Sequence, residues 1–90
     1  MLQVPEGWTI NYADPSINTD RWERKEDLLQ LHHAVLDRLI DLGWYRHEFA
    51  ISVFQGDFQG QQLAEFRTAD QSTALVKLGE LLTAQPGRLR

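Results

Sequence analysis

The sequence contains no cysteine. Disulfides, thiolate zinc sites, iron–sulfur ligation and cysteine nucleophiles are therefore excluded. It also has no apolar run approaching the roughly 20 residues that a helix needs to cross a bilayer. Met1 to Gly7 lacks the basic start and apolar stretch of a secretory signal, so the sequence reads as cytoplasmic and without a membrane partner. Catalytic motifs are missing as well. Ser16, Ser52 and Ser72 stand outside any glycine-flanked nucleophile elbow. Gly56 and Gly60 lack the Gly-Lys-Ser/Thr ending of a phosphate loop, and a hairpin accounts for both.

What is present is an ordinary globular composition, 42% hydrophobic and 24% charged, which has too much apolar residue for a disordered chain. Ninety residues suffice for one domain that folds without staples. The net charge of −4 is concentrated: residues 1 to 45 hold eight acids against four bases, and the rest balances five against five. An acidic first half opposes phosphate backbones and favours a basic partner surface.

Along the chain, Trp8, Ile10 and Tyr12 alternate with Thr9 and Asn11, the period of a strand with a buried aromatic face. Asp14-Pro15 stops it. From about Asn18 to Gly43, Leu28, Leu31, Val35, Leu39 and Leu42 fall on one stripe of a 3.6-residue period, with Trp22, Leu29, Leu36 and Ile40 beside it. This predicts a long amphipathic helix, capped by Asn18 or Asp20, stapled through Ile17 and Trp22, and ended by Gly43.

Tyr45 to Phe54 reads as a strand with Tyr45, His47, Phe49, Ile51 and Val53 on its inner face. Its hairpin turn is placed at Asp57-Phe58-Gln59-Gly60, because that register pairs Val53 with Ala64, Ile51 with Phe66 and Phe49 with Thr68. Phe58 then sits at the hairpin tip. Thr68 with Gln71 matches a capping box opening a second helix to about Ala84, buried through Leu75, Leu78 and Leu82. Gly79 inside it implies close approach of another backbone.

The expected fold is thus α+β: a two-layer sandwich of order β-α-β-β-α, with a three-stranded mainly antiparallel sheet and two helices on one face. Residues 1–90 form one compact domain, with 1–6 and 86–90 as mobile ends.

On a helical wheel His32 falls on the apolar arc and His33 at its edge, roughly 100° apart, so the two cannot readily share one ion. His33, Asp37 and Asp41 share a spacing but make no ligand set, and no metal or cofactor is expected. A buried His32 would respond to pH. His47, on the strand, completes the set for a histidine-based enzyme or ligand-binding domain. Glu23, Glu26, Asp27, Asp37 and Asp41 share the helix surface with Arg21, Arg24, Lys25 and Arg38, as on a solvated, ion-paired face.

With helices on one side, Trp44, Phe54 and Leu63 lie on the uncovered side of the sheet, with Phe58 at its tip. Several aromatics on one face mark an interface. The functional expectation is a small, acidic, non-enzymatic protein-binding module of inhibitor, immunity/antitoxin or adaptor type. It would act by occupying a protein partner or a second copy of itself. A histidine-based enzyme is the alternative. Nucleic-acid binding is weaker, because Arg46 and Arg67 stand beside Glu48 and Glu65.

Overall fold

The computed structural model describes residues 2–83. The expected tail at 86–90, and the predicted helix end at Ala84, lie outside the described residues. Five strands follow one another, β1 (Trp8–Ala13), β2 (Leu29–His33), β3 (Arg38–Tyr45), β4 (Glu48–Gln55) and β5 (Gln62–Thr68), before one helix, α1 (Gln71–Thr83). They form a single antiparallel sheet in the order β1-β2-β3-β4-β5. The expected β-α-β-β-α order, with three strands and two helices, is therefore wrong. The described residues hold a five-stranded sheet and one C-terminal helix.

The error lies in residues 18–43. Leucines four apart on a helix are also compatible with two strands folded back on each other. Leu29 and Leu31 alternate with Gln30 and His32 on β2, and the register sets Leu29 against Leu42 and Leu31 against Ile40. The reversal at 34–37 excludes a helix. Asp37 takes φ 53°, and its carbonyl accepts the Gly56 N–H at 2.7 Å. Val35, placed on the helix stripe by periodicity, is 88% exposed at the turn.

Gly43 is no helix cap. It lies within β3 where the chain leading into β2 crosses over it: Leu28 N–H donates to Leu42 O at 3.1 Å and Trp44 N–H donates to Lys25 O at 2.7 Å. A Cβ at Gly43 would overlap the Glu26 carbonyl oxygen.

Ahead of this crossing, Pro15–Asn18 forms a 3-10 turn capped by Asp14, whose carboxylate accepts from Ser16 N at 3.0 Å, Ser16 Oγ at 2.6 Å and Lys25 Nζ at 3.0 Å. Asp14 is only 2% exposed. The Ser16 hydrogen bonds, then Lys25, hold its carboxyl below the usual range, and Asp14 in turn raises Lys25. Ile17 and Trp22 do meet, with Trp22 Nε1 donating to Ile17 O at 3.2 Å, but as core residues of a loop.

The second half follows the pattern of its sequence. Val53 pairs with Ala64, Ile51 with Phe66 and Phe49 with Thr68. Gly60 N–H donates to Asp57 O at 2.9 Å, closing the turn at 57–60. The cap of α1 differs in detail: Asp70, rather than Thr68, accepts from Thr73 N at 2.8 Å and Thr73 Oγ1 at 2.6 Å, which lowers its pKa. Gln71 instead ties α1 to the loop between β1 and β2, accepting from Trp22 N at 2.7 Å. Gly79 has nothing within 4 Å of an added Cβ, so the expected backbone contact is absent there.

The core forms on one side of the sheet. Ala74, Leu78, Leu81 and Leu82 of α1 join Leu29, Leu31, Ile40, Leu42, Ile51 and Val53, and Trp22 packs edge-on against Phe49 at 5.4 Å. Leu2 and Val4 pack against the same cluster, and Trp8 Nε1 donates to Leu82 O at 2.9 Å. Among the described residues no helix lies on the other side of the sheet, where the Glu26 carbonyl and the Tyr45 ring lie against Gly43.

Candidate functional site on the open sheet face

Antiparallel pairing puts directly opposed residues on the same face, so the register defines what the open side presents. One row crosses the strands as His32, Leu39 and Phe54. The next crosses as Tyr12, Gln30, Asp41, Ser52 and Glu65. Tyr12 reaches this row through a bulge. The β1–β2 register shifts between Ile10 and Tyr12, which turns Tyr12 to the opposite face from Trp8. The alternation of Trp8, Ile10 and Tyr12 therefore does not produce one buried aromatic face, and Ile10 and Tyr12 are 50% and 46% exposed.

Two shallow hollows lie along these rows. One, of about 340 Å³, is lined by Tyr12, Asp27, Leu29, Gln30 and Asp41. The other, of about 500 Å³, is lined by Asn11, Gln30, His32, Asp37, Leu39, Gln55, Gly56, Asp57 and Phe58. Gln30 belongs to both. Among the described residues neither is lined by a lysine or arginine, whereas four carboxylates face them. Asp41 is the most perturbed of these acids. Burial first, and Asp27 second, push its pKa up to about 6. Nearby, Tyr45 donates from its hydroxyl to Glu26 O at 2.9 Å, and burial together with Asp41 raises its own pKa.

Of the residues singled out from sequence, the structure joins Phe54 and Phe58, whose rings meet at 5.4 Å beside Leu39. Trp44 is not with them. It pairs with Phe49 on the helix side, ring to ring at 4.7 Å, with the Arg24 guanidinium 4.9 Å above it. Counting 44–54 as one strand gave the wrong parity, because a two-residue turn at Arg46 and His47, with φ 53° and 67°, separates Trp44 from β4. Leu63 sits where the β4–β5 register shifts, and it packs against the core.

The histidines do not converge. His32 and His33 project to opposite faces of β2. His32 lies in the larger hollow, its Nε2 3.9 Å from Asp37 Oδ1, with its side chain 35% exposed rather than enclosed by leucines. His33 is structural: Nδ1 accepts from Leu36 N at 3.1 Å, and the ring meets Trp8 edge-on at 5.1 Å. His47 occupies the β3–β4 turn, about 23 Å along the sheet from the level of His32 by strand rise. Among the described residues, no three of His, Cys, Asp and Glu group as ligands for one metal ion. No described helix is long and apolar enough to cross a membrane.

Sequence reasoning missed Tyr12, Gln30 and the partial burial of Asp41 beside Asp27. The alternation of Leu29-Gln30-Leu31-His32 was the available signal. It places Gln30 and His32 on one strand face, whereas a helical reading disperses Asp27, Asp37 and Asp41 among the basic residues of a solvated surface. No family model, curated protein or solved structure matches the chain.

Proposed function

We propose that this chain is a non-enzymatic protein-binding module that docks a partner on the open face of its sheet. One observation carries the reading: on the side opposite α1, the Phe54 and Phe58 rings beside the buried Leu39 share a face with Asp27 and Asp41, carboxylates that form no salt bridge among the described residues. Monomeric proteins rarely leave such apolar patches without use, and interface cores are rich in aromatics. Burying Asp41 without a cation costs stability unless a partner supplies the charge. The dispersal of the three histidines supports binding over catalysis.

Affinity capture from the native extract tests this. The parent is run beside a Phe54→Asp, Phe58→Asp double variant and a Val76→Glu control on the exposed surface of α1, all verified as folded. A partner held by the parent and the control but lost by the double variant is the expected result, followed by reconstitution with the purified partner. Retention by all three chains overturns the assignment to this face.

A further inference from the structure

The two hollows are too spread out to hold one ion, and they share Gln30 as a lining residue. They lie side by side on the open face. Leu39 and Phe58 line the larger one, and among the described residues the two linings hold four carboxylates and no lysine or arginine: Asp27 and Asp41 in one, Asp37 and Asp57 beside His32 in the other. Such a one-signed field draws in a positive ligand and disfavours competing acidic ones.

The spacing along β3 describes the ligand further. Leu39 and Asp41 are two residues apart on one strand face, about 6.7 Å. An extended chain lying along β3 repeats its side chains on that face at the same interval. An apolar side chain at one position and a basic one two residues on would meet Leu39 and Asp41 together. Gln30 accepts from Asn11 Nδ2 at 3.0 Å and keeps its amide hydrogens as donors for a peptide carbonyl.

From this geometry we infer that the open face binds an extended basic segment of a partner protein, with a lysine or arginine between Asp41 and Asp27 and an apolar side chain against Leu39 and Phe58. This rests on the reading of the chain as a binding module and specifies the chemistry of its partner. A cation there replaces the missing counter-charge of Asp41, which is faced by Asp27 from the preceding loop, Tyr12 from β1, Tyr45 from its own strand and only the uncharged Ser52 from β4.

The probe is a fluorescein-labelled peptide, Lys-Thr-Leu-Thr-Lys-Thr-Leu-Thr, followed by anisotropy at low salt, with a glutamate-for-lysine peptide as control. Binding of the lysine peptide alone is expected. The isosteric Asp41→Asn with Asp27→Asn should weaken it about tenfold, as expected for removal of a partly desolvated ion pair. Phe58→Ser should weaken it less, and Glu80→Gln on α1 should leave it unchanged. Affinity should also rise between about pH 5 and about pH 7 in the parent, as Asp41 ionises, and should rise by less in Asp41→Asn.

Equal binding of both peptides, equal binding by the Asp41→Asn, Asp27→Asn variant, or no binding overturns the inference. So does a concentration-dependent doubling of mass by light scattering that Phe58→Ser abolishes, since a second copy then occupies the face. If the capture experiment still places a partner on this face while the peptide fails, the module reading stands and its basic ligand is wrong. If capture is lost by none of the variants, both fall.

Discussion

The two sides of the sheet are built from the same strands, yet they differ in what each residue is surrounded by. On the helix side, Leu31, Ile40 and Val53 form one cross-strand row and Leu29, Leu42 and Ile51 the next, all almost fully buried beneath α1 and the Trp22 loop. On the open side the corresponding rows mix His32, Leu39 and Phe54 with Gln30, Asp41 and Ser52. The first arrangement is closed by packing, where each lost methylene costs energy. The second is left unsatisfied, where a charge without a partner costs energy. The main core packs on one face, and the carboxylates of the proposed docking surface stand on the other.

Substitutions should separate the two faces in a graded way. Trp22→Ala removes a buried ring that packs on Phe49 and donates to Ile17, and should lower unfolding free energy by about 4 kcal/mol in urea titration. A loss near zero would mean that the Trp22 loop is not part of the core. Gly43→Ala should cost about 2 kcal/mol, because its methyl group overlaps the Glu26 carbonyl and pushes the crossing segment off β3.

The open face should behave oppositely. The folded-state pKa of Asp41, about 6, lies above its ordinary value of 3.8. Between those values the folded chain holds a proton that the unfolded chain has released, so this residue's contribution to stability is complete below the window and is lost as pH rises through it. Asp41→Asn should therefore stabilise the chain at neutral pH by about 1 kcal/mol, less than the full shift implies because water screens a partly exposed group. At about pH 4 the gain should vanish. An unchanged or lower stability at neutral pH would show that Asp41 has a cationic partner.

Smaller still, Gly79→Ala should stabilise by about 0.8 kcal/mol through helix propensity, since no neighbour opposes the new methyl group. Phe58→Ser should stay within about 0.5 kcal/mol of the parent, as befits a half-exposed side chain at a hairpin tip.

How far the fold was legible depends on the segment. The β4–β5 pairing from Phe49 to Val53 could be placed to the residue, because the turn chemistry at Asp57 to Gly60 and the apolar inner faces select the same register, but the register shift beyond Val53 that puts Leu63 against the core could not. The helix was legible too, although its cap came from Asp70. Residues 18–43 were not legible. Their leucines satisfy a helical stripe and a pair of strands alike, and the deciding contacts are distant in sequence: Gln55 and Gly56 onto the Asp37 turn, Gln71 onto Trp22, and Leu28 onto Leu42. The candidate site inherits that limit. Phe54 and Phe58 could be foreseen as neighbours within one hairpin, whereas Tyr12, Gln30 and Asp41 meet only through the register of three strands.

The amino-acid sequence alone determined the exclusion of thiol chemistry, the acidic first half, the C-terminal hairpin with its turn, and the final helix. In each case a composition or a local period admits one solution. Tertiary structure decided that Leu29 to Tyr45 would be two strands, that Trp44 would face the helix while Tyr12 faced away from it, and that Asp41 would be partly buried beside Asp27. Those outcomes depend on pairing between remote strands, where a bulge or a two-residue turn reverses which face a side chain joins, and neighbouring residues along the chain carry no record of that choice.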